Sequence, residues 1–175
     1  TIQLGIPVAR IEIIDEAQLR VVNAYSKTAY PLAPTLFFEF HGSNEGVAEQ
    51  ARQMQAITAE FGGSAFEWAT QPEDRTRLWK ARHAAYYAVK AMFPGKDVFA
   101  TDACVPISRL ADCVLETKAD ADATGLVAPI VGHVGDGNFH LCVLFDPNDA
   151  GERARAEGRV RRISLRAIAM GGTCT

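Results

Sequence analysis

No apolar run in the sequence approaches the roughly 20 residues that a membrane-spanning helix requires; the longest such stretches are a handful of residues. Cysteine is scarce. Cys104, Cys113, Cys142 and Cys174 lie apart, without the paired spacings of a zinc knuckle or the density of a disulfide framework, and read as reduced, partly buried thiols. Neither sign of charge is in excess: 18 Lys and Arg stand against 21 Asp and Glu, for a net charge of −3. That balance leaves no bulk electrostatic reason to bind nucleic acid. No low-complexity segment or linker interrupts the chain, and no basic stretch followed by an apolar one opens it, so no export signal is visible. What remains is ordinary globular composition, 48% hydrophobic and 22% charged over 175 residues. A chain of this length buries a sizeable core without metals or disulfides.

Strand and helix patterns alternate along it. Ala9, Ile11 and Ile13 alternate with Arg10 and Glu12, the period-2 pattern of a half-buried strand. Residues 17–25 read as a helix and 35–41 as a strand; Gly42-Ser43-Asn44 supplies a turn and an N-cap oxygen for a helix striped by Val47, Met54, Ile57 and Phe61 and ended by Gly62-Gly63, and 64–69 read as a short strand. Residues 73–91 read as one helix, 98–105 as a strand and 108–121 as a helix capped at Ser108. Strands over 128–134 and 139–145 and a helix over 150–170 complete the chain. Several neighbours are joined by short turns, so the expected class is α+β with a largely antiparallel sheet.

The most informative stretch is His133-Val134-Gly135-Asp136-Gly137-Asn138-Phe139-His140. Asp-Gly between apolar runs signals a two-residue hairpin turn with positive φ at both positions. That register sets His133 opposite His140 on one sheet face, with Asn138 beside them, and directly opposed Cβ atoms lie roughly 5 Å apart. Two imidazoles so placed can reach one metal ion, although two ligands make an incomplete site. The alternative is a histidine pair packed or hydrogen-bonded within the sheet.

Three further features carry chemistry. Trp79, Arg82, His83 and Tyr86 recur at helical spacing, and an Arg among aromatics suits a bidentate clamp on a carboxylate. The alternative is an Arg stacked on core aromatics and paired with a surface acid. Asp102 is a lone acid in an apolar strand. The last helix carries Arg153, Arg155, Arg159, Arg161, Arg162 and Arg166, which read as a solvated basic face or one that meets an anionic surface.

These runs together resemble a known family. Val8-Ala9-Arg10-Ile11-Glu12, Ala33-Pro34-Thr35-Leu36-Phe37, Leu78-Trp79-Lys80-Ala81-Arg82-His83, Thr101-Asp102-Ala103-Cys104-Val105-Pro106-Ile107-Ser108-Arg109-Leu110 and the histidine stretch are similar to the C-terminal domain of FAD-linked oxidases, above all the FAD-dependent D-lactate dehydrogenases. Gly171-Gly172-Thr173-Cys174-Thr175 resembles the start of the family's Gly-Thr-x-(Thr/Ser)-Gly-Glu-His-Gly segment. The likeness runs in order along nearly the whole chain.

The resemblance implies a ferredoxin-like fold in duplicate, α+β, with a largely antiparallel sheet and helices on one side. It implies that residues 1–175 form a cap domain: the chain opens on Thr1 rather than Met, and an N-terminal FAD-binding domain and a C-terminal tail are expected outside it. By resemblance His133 and His140 are ligands of a divalent metal, zinc or manganese. The third ligand and the candidate base are the Glu and His of Gly-Glu-His, beyond Thr175. Arg82 is implied to bind the substrate carboxylate, and Asn138 to lie near the flavin and the substrate hydroxyl. Related D-2-hydroxyglutarate dehydrogenases carry a Lys at the position of Ala100, so a small acid such as lactate or glycolate is expected. The implied activity is oxidation of a D-2-hydroxy acid to the 2-keto acid with hydride transfer to FAD, electrons passing on to a cytochrome or quinone pool. Glycolate oxidase flavin subunits and a non-catalytic ferredoxin-like binding module are the alternatives. The associated expectations are a homodimer and a cytoplasmic location, peripheral to the inner membrane, or mitochondrial in a eukaryote.

Overall fold

The computed structural model describes residues 1–64 and 66–175. Its first strand, β1 (Arg10–Ile14), carries isoleucines at both parities and is covered on both edges. β2 (Thr35–Glu39) pairs with one edge and β5 (Ile130–Gly132) with the other, both antiparallel. Between β1 and β2 runs α1 (Glu16–Ser26), capped by the Asp15 carboxylate accepting from the Gln18 N–H at 2.8 Å. After β2 come α2 (Asn44–Glu60), α3 (Pro72–His83) and α4 (Ala85–Met92). The second half runs β3 (Asp97–Ala100), β4 (Ala103–Cys104), α5 (Ile107–Ala123), β5, β6 (Asn138–Phe145), α6 (Ala150–Ala169) and β7 (Thr173–Cys174). The sheet order is β2-β1-β5-β6-β4-β7, with β3 also on β6, and every pairing is antiparallel. With β3 and β4 counted as one interrupted strand, since they share one register against β6, residues 97–175 trace β-α-β-β-α-β, the ferredoxin-like order, and the first half extends the same sheet.

The alternation along β6 decides which side chains face which helices. Phe139, Leu141, Val143 and Phe145 join a core with Ala156, Ile163 and Ala167 of α6 and Cys113 of α5. Cys142 and Leu144 join the other core, with Leu19 and Val22 of α1 and Ala88 and Val89 of α4. The α1–α4 pair and the α5–α6 pair therefore sit on opposite faces of the sheet, which corrects the expectation of helices on one side: β6 is apolar at both parities and has to be covered on both faces. A one-residue slip of β6 would trade Leu141 for His140 in the core and forfeit about 1.5–3 kcal/mol per apolar side chain exposed. By the same alternation His140 and Asn138 lie on the α1–α4 face.

Four local expectations are corrected. The helix read over 73–91 breaks at Ala84, and the Gln18 side chain donates to the Ala85 carbonyl at the break (3.0 Å). α5 starts one residue before Ser108, after Pro106, with no side-chain cap. Of the strand read over 64–69, Ala65 lies outside the described residues, and Phe66 to Ala69 follow irregular backbone in which Phe66 packs edge-on against Trp68. The arginines of α6 are not a free solvated face. Arg159 is wholly buried and donates to the carbonyls of Leu126 and Ala121, while Arg162 pairs with Asp120 and Arg166 with Glu116.

Candidate functional site

The hairpin between β5 and β6 is longer than its Asp-Gly pair implies. A 3-10 turn over Val134–Asp136 and Gly137 at φ 78 make a four-residue loop, and the His133 carbonyl accepts from both Asp136 and Asn138. Ile130 faces Leu141 and Val131 faces His140, so two further steps along the ladder set His133 opposite Asn138 rather than opposite His140. The longer loop lets Gly137 extend the ladder to the next strand: its carbonyl accepts from the Val105 N–H at 2.9 Å. A Cβ at Gly137 would stand 2.1 Å from the Val105 carbonyl oxygen, so glycine is required there on steric as well as φ grounds. The shift from the expected register is two residues, which leaves every side chain on its face. His133 and His140 are consequently diagonal neighbours, with ring centroids 5.6 Å apart and planes at 85°.

Each ring is held by its Nδ1. His133 Nδ1 lies 2.7 Å from Glu12 Oε1, and His140 Nδ1 lies 3.0 Å from the Thr101 carbonyl oxygen. A carboxylate and a carbonyl can only accept, so each Nδ1 carries a proton, and the neutral ring then keeps its lone pair at Nε2. This is the outer arrangement that metal-bound histidines ordinarily show. With metal–nitrogen bonds of about 2 Å, two imidazoles on one ion have centroids roughly 5 Å apart, near the distance found here. The two rings fit as a pair of ligands for a divalent ion. Among the described residues no group of three or more His, Cys, Asp or Glu gathers to complete such a site. Cys142, two residues further on the same face, is no substitute: it is buried, and burial pushes its thiol up to about 11.

Arg82 reaches this site from the last turn of α3. Its Nε and Nη2 donate to Glu12 Oε2 at 3.0 and 2.6 Å, leaving Nη1 out of both bonds. Glu12 is 2% exposed and Arg82 8%. The break at Ala84 separates Tyr86 from the stripe expected for this helix; Tyr86 packs on Tyr87 in α4. Trp79 stacks on His83 and receives the guanidinium of Arg10, 4.1 Å above its ring, so Arg10 and not Arg82 is the arginine on the aromatic. A cleft of about 530 Å³, within the size range of small-ligand sites, opens along Glu12, His133 and Asp136 beside residues 5–11.

Asp102 belongs to the same face. The β3 and β4 ladders share one register against β6, interrupted where the Thr101 hydroxyl accepts from the Leu141 N–H at 2.9 Å. The interruption turns the Thr101 carbonyl toward His140 and sets Asp102 beside it, 3.5 Å from His140 Nδ1. Asn138 donates its amide N–H to Asp102 Oδ1 at 2.6 Å, which fixes the amide oxygen as the outward, accepting atom. Ala100, at the end of β3, faces Cys142 across the ladder.

The residue that sequence reading passed over is Glu12. Period-2 alternation puts it on the polar side of a half-buried strand, yet it is 2% exposed, among the most buried acids of the described residues. The signal was available in Ile11-Glu12-Ile13-Ile14, where apolar residues occupy both parities, as in a strand covered on two faces. An acid in such a strand needs partners.

The chain is 48% identical to a probable mitochondrial D-lactate dehydrogenase of Danio rerio over 99% of its own length and 35% of that protein. It is 41% identical to the mitochondrial D-lactate dehydrogenase [cytochrome] of Arabidopsis thaliana, over 100% of its length and 31% of that protein. A glycolate oxidase subunit of Escherichia coli is 28% identical over 97% of the chain and 34% of its own length. The chain thus spans about a third of the length of the curated relatives it matches. Among solved structures, the 4-ethylphenol oxidase of Gulosibacter chungangensis superposes with a TM-score of 0.64 at 13% identity, covering 93% of this chain and 38% of that one, a likeness of fold. Over residues 1–175 the sequence matches the FAD linked oxidases, C-terminal domain, and the chain belongs to that family.

Proposed function

We propose that this chain is the substrate- and metal-binding cap of a flavin-dependent D-2-hydroxy-acid dehydrogenase that oxidises D-lactate or a similarly small acid to its 2-keto acid. The observation that carries the reading is the pair of imidazoles anchored through Nδ1, with both Nε2 lone pairs on one sheet face beside Arg82 and Asn138. His133 and His140 would hold a divalent ion, zinc or manganese, through Nε2. Such an ion supplies Lewis acidity at a hydroxyl oxygen, and FAD, held by a domain outside these residues, supplies the hydride acceptor. The chain's own part is positional. Arg82 offers Nη1 to the substrate carboxylate while Glu12 holds the rest of its guanidinium, and Asn138, oriented by Asp102, offers its amide oxygen to the substrate hydroxyl. Ala100 provides no cation for a second carboxylate, which favours lactate over a dicarboxylic acid.

The names of the relatives support the same reading and add to it a mitochondrial location and, from the second of them, a cytochrome as electron acceptor. A quinone pool is the competing acceptor. No helix among the described residues is long and apolar enough to cross a membrane.

The test is anaerobic mixing of the intact, flavin- and metal-loaded protein with single substrates, following loss of the oxidised flavin band. D-lactate is expected to bleach the flavin faster than D-2-hydroxyglutarate by on the order of 10-fold or more, since the second carboxylate finds no partner. Glycolate reacting faster than D-lactate would move the assignment to the glycolate oxidases. No bleaching by any small 2-hydroxy acid would overturn it.

A further inference from the structure

Glu12 joins three elements at one buried point. Its Oε2 takes two hydrogen bonds from Arg82 of α3, and its Oε1 takes one from His133 at the end of β5, while the residue itself lies in β1. Its side chain is 3% exposed, so these three contacts, rather than solvent, satisfy the charge. From this arrangement we infer that Glu12 is a positioning residue: it fixes His133 in the tautomer with a bare Nε2 and, through its second oxygen, sets the guanidinium of Arg82 at a constant distance from that nitrogen. The inference rests on the metal-binding reading above and deepens it, because one carboxylate then couples the anion-binding group to the metal-binding group.

The chemistry follows from what each atom accepts. A carboxylate presents acceptors to both partners at once. An amide cannot, because one of its two terminal atoms is a donor. In Glu12→Gln the single amide oxygen goes to the charged guanidinium, the stronger donor. The amide N–H2 then faces His133 Nδ1, which must become the acceptor, and the ring proton moves to Nε2. A protonated Nε2 has no lone pair with which to bind a metal. The substitution conserves size and removes no atom from the cleft, so a role in packing alone predicts little change in the imidazole. His140, held by the Thr101 carbonyl, serves as internal reference because nothing in the substitution alters its partner.

The experiment uses the intact protein, metal-free, with 15N-labelled histidine, and assigns the His133 signals by their loss in His133→Gln. The wild type is expected to show a protonated Nδ1 and bare Nε2 at His133. In Glu12→Gln the pattern should reverse at His133 and persist at His140. Titration with Mn2+ alone, read from the EPR signal of the free ion, should then give an affinity lower by about 10- to 100-fold, the usual cost of losing a partner behind a ligand. A protonated Nε2 at His133 in the wild type would overturn the inference, whether or not the variant folds. So would an unchanged tautomer and unchanged Mn2+ affinity in Glu12→Gln. A wild type that shows the expected tautomer but takes up no metal would uphold the positioning role and contradict the metal reading, so the two failures are told apart.

Discussion

In the intact protein, His140→Ala is expected to abolish retention of the divalent metal and to lower turnover of D-lactate by about 10³-fold, while the flavin stays bound. The reasoning is stoichiometric. The chain contributes two imidazoles on one sheet face, diagonal to each other across β5 and β6, and removal of either leaves a single nitrogen. A Lewis acid at a reacting oxygen is worth several kcal/mol, and each factor of ten in rate is about 1.4 kcal/mol. The ring is partly exposed at the edge of its core, so truncation opens no large cavity, and the loss should register in metal content and kcat rather than in folding. Metal analysis and turnover on the same preparation check this. Normal turnover with metal retained would mean that the hairpin is structural.

Arg82→Met should have the largest effect on stability, because it leaves the Glu12 carboxylate buried with only His133 for company. Breaking a buried pair by removing one partner costs about 3–5 kcal/mol. Replacing both members with apolar side chains of similar volume is often close to neutral, so the double variant Glu12→Leu/Arg82→Met should recover most of that loss. Substrate binding should not recover with it. A charge-assisted hydrogen bond contributes about 1.5–3 kcal/mol, so KM for D-lactate should rise by roughly 10- to 100-fold in the single and the double variant alike. Denaturant melts and steady-state kinetics on the three proteins separate the two roles of Arg82. Recovery of KM along with stability in the double variant would show that Arg82 serves the fold alone.

Much of this was legible in the sequence, and where it was not the reason is physical. The β6 strand, its alternation and the shared face of His133, Asn138 and His140 follow from period-2 patterning, which tolerates a two-residue shift of register without exchanging faces. The register itself was misread because Asp136-Gly137 favours a two-residue turn locally, whereas the chain uses Gly137 to pair with Val105, a contact made by a strand more than 30 residues earlier. Asp102 stood out as a lone acid, but its bond to Asn138 depends on that same long-range ladder. Arg82 was singled out for its aromatic neighbours; in the structure Arg10 lies over Trp79, and Arg82 goes to Glu12, 70 residues away. The arginines of α6 were read as a surface because helical periodicity does not reveal that α5 ends against Arg159, whose guanidinium takes up the carbonyls at its end. Local pattern sets the faces, and tertiary pairing sets the partners.

The central claim is that His133 and His140 present Nε2 to one ion. Anomalous diffraction at the metal edge, from crystals of the intact protein loaded with manganese or zinc, tests it directly. The account predicts one peak within about 2.0–2.3 Å of both Nε2 atoms, with Nδ1 of His133 still on Glu12 and Nδ1 of His140 still on the Thr101 carbonyl. A peak elsewhere, or an ion held through Nδ1 of either ring, would contradict it.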